Sequence, residues 1–164
     1  MRCAVALGSN LGDRAGHLNF AVARLRTLLD ALIVSEYFDT APVGVADQPR
    51  FLNAATVGRP YPLMTPRALV DALLAIERER GRERPFPGAP RTLDLDLVLY
   101  GEVVLKEEGL EVPHPRFRER RFVLEPLATI APDLKDPVTG ATVGELLIRL
   151  KGPGTRDSFF VPSS

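Results

Sequence analysis

Two carboxylates interrupt an otherwise apolar stretch of the chain, APRTLDLDLVLYG (residues 89–101). Its composition predicts a β-strand, in which side chains two positions apart share one face. Asp94 and Asp96 are therefore expected side by side, on the face opposite a row of leucines: Leu93, Leu95, Leu97 and Leu99. Two like charges this close repel each other unless a cation or a shared proton lies between them. Mg²⁺ fits such a pair, because it takes few ligands from the protein and the others from water and substrate phosphates.

Arginines cluster on either side of the aspartate pair and argue against the alternative, a solvated strand face without a ligand. Arginine outnumbers lysine 18 to 3, and guanidinium groups bind phosphate oxygens in a bidentate manner. A genome that favours arginine would explain the excess but not its concentration in residues 78–91 and 116–121. Carboxylates for a metal ion beside guanidinium groups for phosphates are typical of phosphoryl-type transfer. The loop at 81–90, rich in proline and glycine, is either a rigid connector or a lid.

A histidine and an aromatic–amide pair complete the candidate chemistry. His114 lies between two prolines, just ahead of the second arginine cluster. A lone histidine is more often structural, but next to four arginines it is placed to donate to a phosphate, and we expect one or two of those arginines to be functional. Phe51 and Asn53 share one face of a predicted strand, where a ring beside an amide suits a flat heteroaromatic ligand. A half-buried strand with one polar residue would show the same pattern.

The composition indicates a globular protein without a bias towards a charged or apolar partner. The chain has 164 residues, of which 45% are hydrophobic and 26% charged, and its net charge is zero. We therefore expect one domain over residues 1–164, with no nucleic-acid and no membrane partner. The single cysteine, Cys3, allows no internal disulfide and favours a reducing, cytoplasmic compartment. The dipeptide GK never occurs, which excludes a P-loop enzyme.

The order of the predicted elements indicates the fold class. Strands are predicted at 3–8, 32–39, 51–58 and around Asp94, and helices at 14–30 and 66–80. This βαββαβ order is typical of ferredoxin-like folds, so we predict an α+β protein with an antiparallel sheet and helices on one face. The predicted C-terminal additions are a short strand at 102–105, helices at 121–129 and 143–150, and a loose tail over about 155–164.

Five motifs follow one another along the chain: LGSNLGDR (7–14), TAPVG…DQPRFLNAA (40–55), IERERGRER (76–84), GAPRTLDLDLVLYG (88–101) and VPHPRFRERRFVLEPL (112–127). Together they resemble the 6-hydroxymethyl-7,8-dihydropterin pyrophosphokinase family of folate biosynthesis, over about residues 4–150. The resemblance implies a monomeric α+β enzyme that moves the βγ-pyrophosphoryl group of ATP to the hydroxymethyl oxygen of the dihydropterin and leaves AMP. ATP and the dihydropterin would then be its small-molecule partners.

The resemblance also implies roles for individual residues. Asp94 and Asp96 would hold two Mg²⁺ ions that bridge the ATP phosphates, and Asp96 or the metal alone would help the hydroxyl group lose its proton. The catalytic arginines beside the transferring phosphates would be Arg82 and Arg91. The ATP-binding residues would be Glu77, Arg84, His114 and Arg120. The pterin would lie between the rings of Phe51 and Phe122, with the Asn53 amide on its polar edge. Backbone and apolar contacts to the pterin would come from Thr40, Pro42 and Val43.

A ferredoxin-like module that binds a nucleotide or RNA without catalysis is the competing hypothesis. The neutral charge, the carboxylates on the exposed sheet face and the lack of an aromatic RNP-type strand argue against RNA. A degenerate enzyme that serves as a scaffold is a third hypothesis, which is weakened because every metal and arginine position is present. Binding of MgATP, rather than of an oligonucleotide, would favour the enzyme.

Overall fold

The structure, a computed structural model, describes residues 1–41, 49–80, 92–151 and 161–163. The strands are β1 (Cys3–Ser9), β2 (Leu29–Val34), β3 (Tyr37–Thr40), β4 (Phe51–Pro60), β5 (Asp94–Tyr100), β6 (Leu105–Glu107), β7 (Leu110–Val112) and β8 (Val161–Ser163). The helices are α1 (Arg14–Leu25), α2 (Pro66–Glu79), α3 (Arg121–Ile130) and α4 (Val143–Lys151), and a short 3₁₀ turn, Phe117–Glu119, precedes α3. None of the helices in these ranges is long and apolar enough to cross a membrane.

The main sheet is antiparallel, with the strand order β5-β1-β4-β3-β8. Strand β2 pairs with the C-terminal half of β4, whereas β3 pairs with its N-terminal half. Because β1 occupies the other edge of β4, β2 and β3 act as two halves of one strand. The arrangement is therefore the predicted βαββαβ core of a ferredoxin-like fold, and the predicted fold class is confirmed.

The strand predicted at 32–39 is interrupted at Ser35. The Ser35 hydroxyl oxygen accepts a hydrogen bond from the Ala55 backbone N–H at 2.9 Å, and the Ser35 N–H donates to the Ala55 carbonyl at 2.9 Å. A side-chain oxygen thus takes the place of a main-chain acceptor, so the regular ladder stops between β2 and β3. Sequence alternation alone does not reveal this substitution.

The two helices of the core begin as predicted, but one of them ends early. Thr65 caps α2 by accepting a hydrogen bond from the Ala68 N–H at 3.1 Å, ahead of the proline at the first helical position. Helix α1 was expected to reach residue 30 but ends at Leu25. Leu29 continues the helical spacing of leucines but is buried from the first position of β2. Leu29 thus fits the helical spacing of leucines although it belongs to a strand, because pairing with β4 determines the structure of this segment.

Two further expectations for the C-terminal part are corrected. A tight hairpin replaces the strand expected at 102–105: β6 and β7 pair antiparallel, and Gly109 in the turn has a φ of +73°, which favours glycine. The loose tail expected over 155–164 contains strand β8, which pairs with β3 along its outer edge. Main-chain hydrogen bonding to an open strand edge is the physical reason why Val161–Ser163 form a strand.

The sheet has an apolar layer on each face. Helices α1 and α2 cover the first face, where Cys3, Val5 and Leu7 of β1 are buried. Helix α3 covers part of the second face, with α4 packed against α3, and there β1 presents only the small side chains of Ala4 and Ala6. Small residues let a helix approach the sheet closely, so α3 packs close to β1 and β4.

A bulge in β5 changes which face its last residues occupy. In the ladder with β1, Leu97 is opposite Val5 and Leu99 is opposite Ala4, so Val98 has no partner on β1. Leu93, Leu95 and Leu97 pack into the first face as predicted. Leu99 was expected there too, but it packs with Val98 in the second face, because the extra residue shifts the alternation by one.

Candidate active site

The two aspartates lie together on the second face of the sheet, at its edge. In the ladder, Asp94 is opposite Gly8 and Asp96 is opposite Ala6, so both carboxylates project from the same side as these small residues. The side chain of Asp96 is 45% exposed. The co-facial pair predicted from the two-residue spacing is therefore present, and it borders solvent rather than the core.

A cleft of about 200 Å³ lies between the aspartates, the end of the sheet and α3. Residues from β3, β4, β5 and the start of α3 converge on it, although they are far apart in sequence. Among the predicted site residues, those that line the cleft are Thr40, Phe51, Asn53, Asp94, Asp96, Arg120 and Phe122. The sheet ladder explains this convergence, because Asp94, Gly8 and Asn53 form one row across three neighbouring strands.

Gly8 keeps one side of the cleft open and was not identified as a site residue from the sequence. A Cβ atom at this position would lie 3.0 Å from Asn53 Nδ2 and 3.8 Å from Phe51 Cδ1. Asn53 is only 5% exposed, so its amide occupies the space that a side chain on β1 would fill. A glycine inside a buried strand is the signal that could have revealed this close approach.

Aromatic and cationic groups border the cleft on the helix side. Phe122 belongs to the first turn of α3, and the Arg120 guanidinium carbon lies 5.6 Å from the centre of its ring. Arg120 Nη1 lies 4.0 Å from Asp96 Oδ2, with 27% of the Arg120 side chain exposed. Arg120 thus lies between an aromatic ring and a carboxylate, at the rim of a cleft where its guanidinium group could bind an anion.

His114 is held near this group by its main chain. Its backbone N–H donates to the Val98 carbonyl at 2.9 Å, and its Nδ1 accepts from the Arg116 N–H at 3.1 Å. A neutral ring therefore carries its proton on Nε2, which remains able to donate. Burial lowers the pKa of His114, Asp96 opposes this effect and Arg120 adds to it, with a net pKa below the usual value.

The other arginines of the second cluster bind carboxylates outside the cleft. Arg118 donates to both oxygens of Asp136, at 2.6 and 3.0 Å. Arg116 pairs with Glu119 at 3.6 Å, and Arg121 pairs with Glu125 within α3. The 3₁₀ turn before α3 sends neighbouring side chains in different directions. Within the part of the chain that the structure describes, Arg120 is the member of this cluster that lines the cleft.

Not every predicted site residue is brought to the cleft. Glu77 Oε2 accepts a hydrogen bond from the Leu95 N–H at 2.7 Å, so this carboxylate fastens α2 to β5 between the two aspartates. It does not line the cleft. The remaining predicted residues lie outside the described ranges, as does the loop at 81–90: Pro42, Val43, Arg82, Arg84 and Arg91.

A carboxylate that the sequence did not single out fixes the strand that carries Thr40. Asp39 binds Arg14 at 3.2 Å and Arg50 at 2.9 Å, and Arg14 also donates to the Arg50 carbonyl at 3.0 Å. Burial acts to raise the pKa of Asp39, but the hydrogen bonds from the two arginines outweigh it and hold that pKa below its usual value. This network joins α1, the end of β3 and the residue before β4.

The residues that could hold a metal are few. In residues 1–41, 49–80 and 92–151, no group of three or more histidine, cysteine, aspartate or glutamate side chains forms a complete metal site. Asp94 and Asp96 offer a pair of carboxylates at the rim of an open cleft. Such a donor set fits Mg²⁺, an ion that keeps several waters and takes further ligands from substrate phosphates.

Comparisons with known proteins point to one family. A family model described as 7,8-dihydro-6-hydroxymethylpterin-pyrophosphokinase (HPPK) matches residues 4–132. The chain is 44% identical over 148 residues to the 2-amino-4-hydroxy-6-hydroxymethyldihydropteridine pyrophosphokinase of Pseudomonas aeruginosa, which covers 89% of this chain and 90% of that protein. The corresponding protein of Bacillus subtilis is 40% identical over 148 residues, with 89% of this chain and 87% of that protein covered.

Other relatives are much longer than this chain. The folic acid synthesis protein fol1 of Schizosaccharomyces pombe is 38% identical over 154 residues, but this chain spans only 21% of it. The fold is similar to a crystal structure of a triple mutant of Plasmodium falciparum HPPK-DHPS with STZ-DHP, with a TM-score of 0.72, 14% identity and coverage of 92% of this chain and 43% of that one. Such an identity supports the fold alone. By the family model and the bacterial relatives, the chain belongs to the 7,8-dihydro-6-hydroxymethylpterin-pyrophosphokinase family.

Proposed function

We propose that this chain transfers the pyrophosphoryl group of ATP to 6-hydroxymethyl-7,8-dihydropterin, giving AMP and the pterin diphosphate, as a step of folate biosynthesis. The observation that carries the proposal is the co-facial pair of Asp94 and Asp96 beside a cleft with an aromatic ring and a buried amide. Membership of the pyrophosphokinase family supports the same reaction.

The aspartates and the cationic groups would act on the phosphates. Asp94 and Asp96 would hold two Mg²⁺ ions, which would neutralise charge on the ATP phosphates when bound. Arg120, beside Asp96, would bind a phosphate oxygen, and His114 would donate to one from Nε2. Such a reaction needs little covalent work from the protein, so these groups would act by positioning and by charge stabilisation.

The apolar part of the cleft would hold the pterin. Phe51 and Phe122 line it from β4 and from α3, as two rings that could stack on opposite faces of a flat heterocycle. Asn53, which is buried and has its amide over Gly8, would pair with the polar edge of the ring. Thr40 lines the same wall.

Several parts of the proposal rest on the resemblance alone. Arg82 and Arg91 would accompany the transferring phosphates, Arg84 and Glu77 would lie on the nucleotide side, and Pro42 with Val43 would complete the pterin pocket. We also propose that the chain acts as a monomer with a single domain over residues 1–164, in the cytoplasm.

Phosphorus NMR of the protein with MgATP and 6-hydroxymethyl-7,8-dihydropterin tests the proposal. AMP together with a new pterin diphosphate is the expected result. ADP or free phosphate would mean a different phosphotransfer reaction. Unchanged ATP with a folded protein would overturn the proposal and favour a nucleotide-binding module without catalysis.

Replacement of Gly8 with alanine is expected to raise the KM for the dihydropterin about tenfold, equivalent to about 1.4 kcal/mol. The added Cβ would lie 3.0 Å from Asn53 Nδ2 and displace that amide from the cleft. Steady-state kinetics should show a much smaller change in the KM for ATP. Gly144→Ala in α4 is the matched control, since its Cβ would meet its nearest neighbour, the Pro132 carbonyl oxygen, at 3.4 Å, and neither residue lines the cleft. An unchanged KM in Gly8→Ala would contradict this role.

A further inference from the structure

We propose that Thr40 is a specificity-determining positioning residue: its hydroxyl fixes the orientation of the Asn53 amide, and that orientation selects a ligand that presents a carbonyl oxygen. The inference rests on the proposed function and adds a role for the side chain of Thr40. It starts from one contact, in which Thr40 Oγ1 donates to Asn53 Oδ1 at 2.6 Å.

The contact follows from the strand register. Thr40 lies opposite Phe51, and Phe38 lies opposite Asn53, so Thr40 and Asn53 are diagonal neighbours on one face of the β3–β4 ladder. Side chains in this relation can reach each other across a sheet. Threonine is also branched at Cβ, which restricts its side-chain rotamers on a strand. The position of the hydroxyl is therefore set by the backbone of β3.

The backbone of β3 is itself held on both edges of the strand. Asp39, the residue before Thr40, binds Arg14 and Arg50, and β3 is paired with β4 on one edge and with β8 on the other. The hydroxyl of Thr40 is thus presented from a strand that is fixed by ion pairs and by two ladders. A hydroxyl can donate or accept, but the 2.6 Å between Thr40 Oγ1 and the Asn53 amide lies in the range of O–H···O bonds and is short for an N–H···O bond. A hydroxyl held at this distance therefore favours the amide oxygen over the amide nitrogen.

The two ends of the Asn53 amide have different surroundings. Oδ1 accepts from Thr40, whereas Nδ2 lies above Gly8, 3.0 Å from the position that a Cβ would take there. An asparagine amide can otherwise be turned by 180° with almost no change in shape, which exchanges a donor for an acceptor. With Oδ1 bound by Thr40, Nδ2 is the atom that donates to a ligand in the cleft.

A fixed donor discriminates between pterins. The carbonyl oxygen at position 4 of a pterin can accept from Nδ2, whereas an amino group at that position would bring two donors together. Sites that pair a ligand through a buried polar group reject analogues that leave this group unpaired. Thr40 would therefore favour 4-oxo over 4-amino pteridines, although its own hydroxyl binds Asn53 rather than the ligand.

Isothermal titration of the full chain with 6-hydroxymethylpterin and with 2,4-diamino-6-hydroxymethylpteridine tests the inference. We expect the wild type to prefer the 4-oxo compound by at least about tenfold, because an unpaired buried donor costs about 1–3 kcal/mol. Thr40→Val, which keeps the shape but removes the hydroxyl, should reduce this ratio to near one. Thr40→Ser should restore the preference, and Thr40→Ala should repeat the loss without the valine methyl group.

Kinetics provide a second readout that a purely structural role would not reproduce. In Thr40→Val, the KM for the dihydropterin should rise about tenfold while kcat changes less than about threefold. An unchanged ratio of the two affinities in both Thr40→Val and Thr40→Ala, or an equal loss of affinity for both compounds, would overturn the inference. Failure of the wild type to bind either compound would instead count against the proposed function.

Discussion

Asp96→Ala is expected to lower turnover by about three orders of magnitude, equivalent to about 4 kcal/mol in the activation free energy. The carboxylate would be lost from the proposed metal-binding pair, and Arg120, which lies 4.0 Å from Asp96 Oδ2, would lose a nearby anion in the cleft. The fold should persist, because the Asp96 side chain is 45% exposed and its removal leaves no cavity in either apolar layer. AMP formation under saturating MgATP measures the effect.

Asp133→Ala is the matched control for this variant. The side chain of Asp133 is 72% exposed and pairs with Arg2 on the surface, where an ion pair contributes little to stability. Its turnover and melting temperature should remain close to those of the wild type. Nearly full MgATP-dependent turnover in Asp96→Ala would remove Asp96 from the proposed metal site.

The largest expected effect on stability is that of Asp136→Asn, about 3 kcal/mol in the free energy of unfolding. The Asp136 side chain is fully buried and accepts two hydrogen bonds from Arg118, one from the Val138 N–H at 3.0 Å and one from the Thr139 hydroxyl at 2.7 Å. Loss of one charge from a buried pair typically costs about 3–5 kcal/mol. We expect the lower end of this energy range for Asp136→Asn, because the Arg118 side chain is 28% exposed and water can partly solvate it.

Urea unfolding at several pH values measures this effect and its sign. Burial acts to raise the pKa of Asp136, but hydrogen bonds from Arg118, Thr139 and Val138 outweigh it and hold the pKa below its usual value. A depressed folded-state pKa stabilises the fold above the unfolded-state pKa of about 3.9 and loses that effect as the pH falls through the folded-state pKa. The difference in the free energy of unfolding between wild type and Asp136→Asn should therefore be largest at pH 7 and should decrease below about pH 4. A gap independent of pH would contradict the assignment, and Asp133→Ala again serves as the control.

Local sequence patterns predicted those parts of the fold that depend on neighbours in the chain. The two-residue period placed Asp94 and Asp96 on one face, and Thr65 with Pro66 marked the start of α2. The errors have non-local causes. A hydroxyl of Ser35 interrupts a ladder with β4, and a bulge opposite β1 moves Leu99 to the other face. Neither event leaves a signal in the residues of the strand itself.

In the site, too, the sequence predicted local features but not those that depend on distant residues. Phe51 and Asn53, which one strand supplies, line the cleft together as the alternation of that strand indicated, and their roles stay predictions. The sequence could not separate Arg120 from Arg118, because the 3₁₀ turn directs one to the cleft and the other to a buried aspartate. Gly8 was overlooked because its importance comes from a side chain on β4 that occupies the space above it.

The bulge at Val98 disturbs the regular alternation of β5, but it also provides the carbonyl that binds the His114 N–H. Deletion of Val98 would give a regular ladder with β1, and all remaining side chains of β5 would keep their faces. Leu97 would still face α1 and α2, and Leu99 would still face α3. The same deletion would withdraw the carbonyl that accepts the His114 N–H. The additional residue is therefore dispensable to the alternation of the strand, and its main-chain oxygen serves to place the imidazole near Asp96 and Arg120. Side-chain substitutions of Val98 retain that oxygen, so at this one position a change of strand length would disturb the placement of His114 more than a change of residue type.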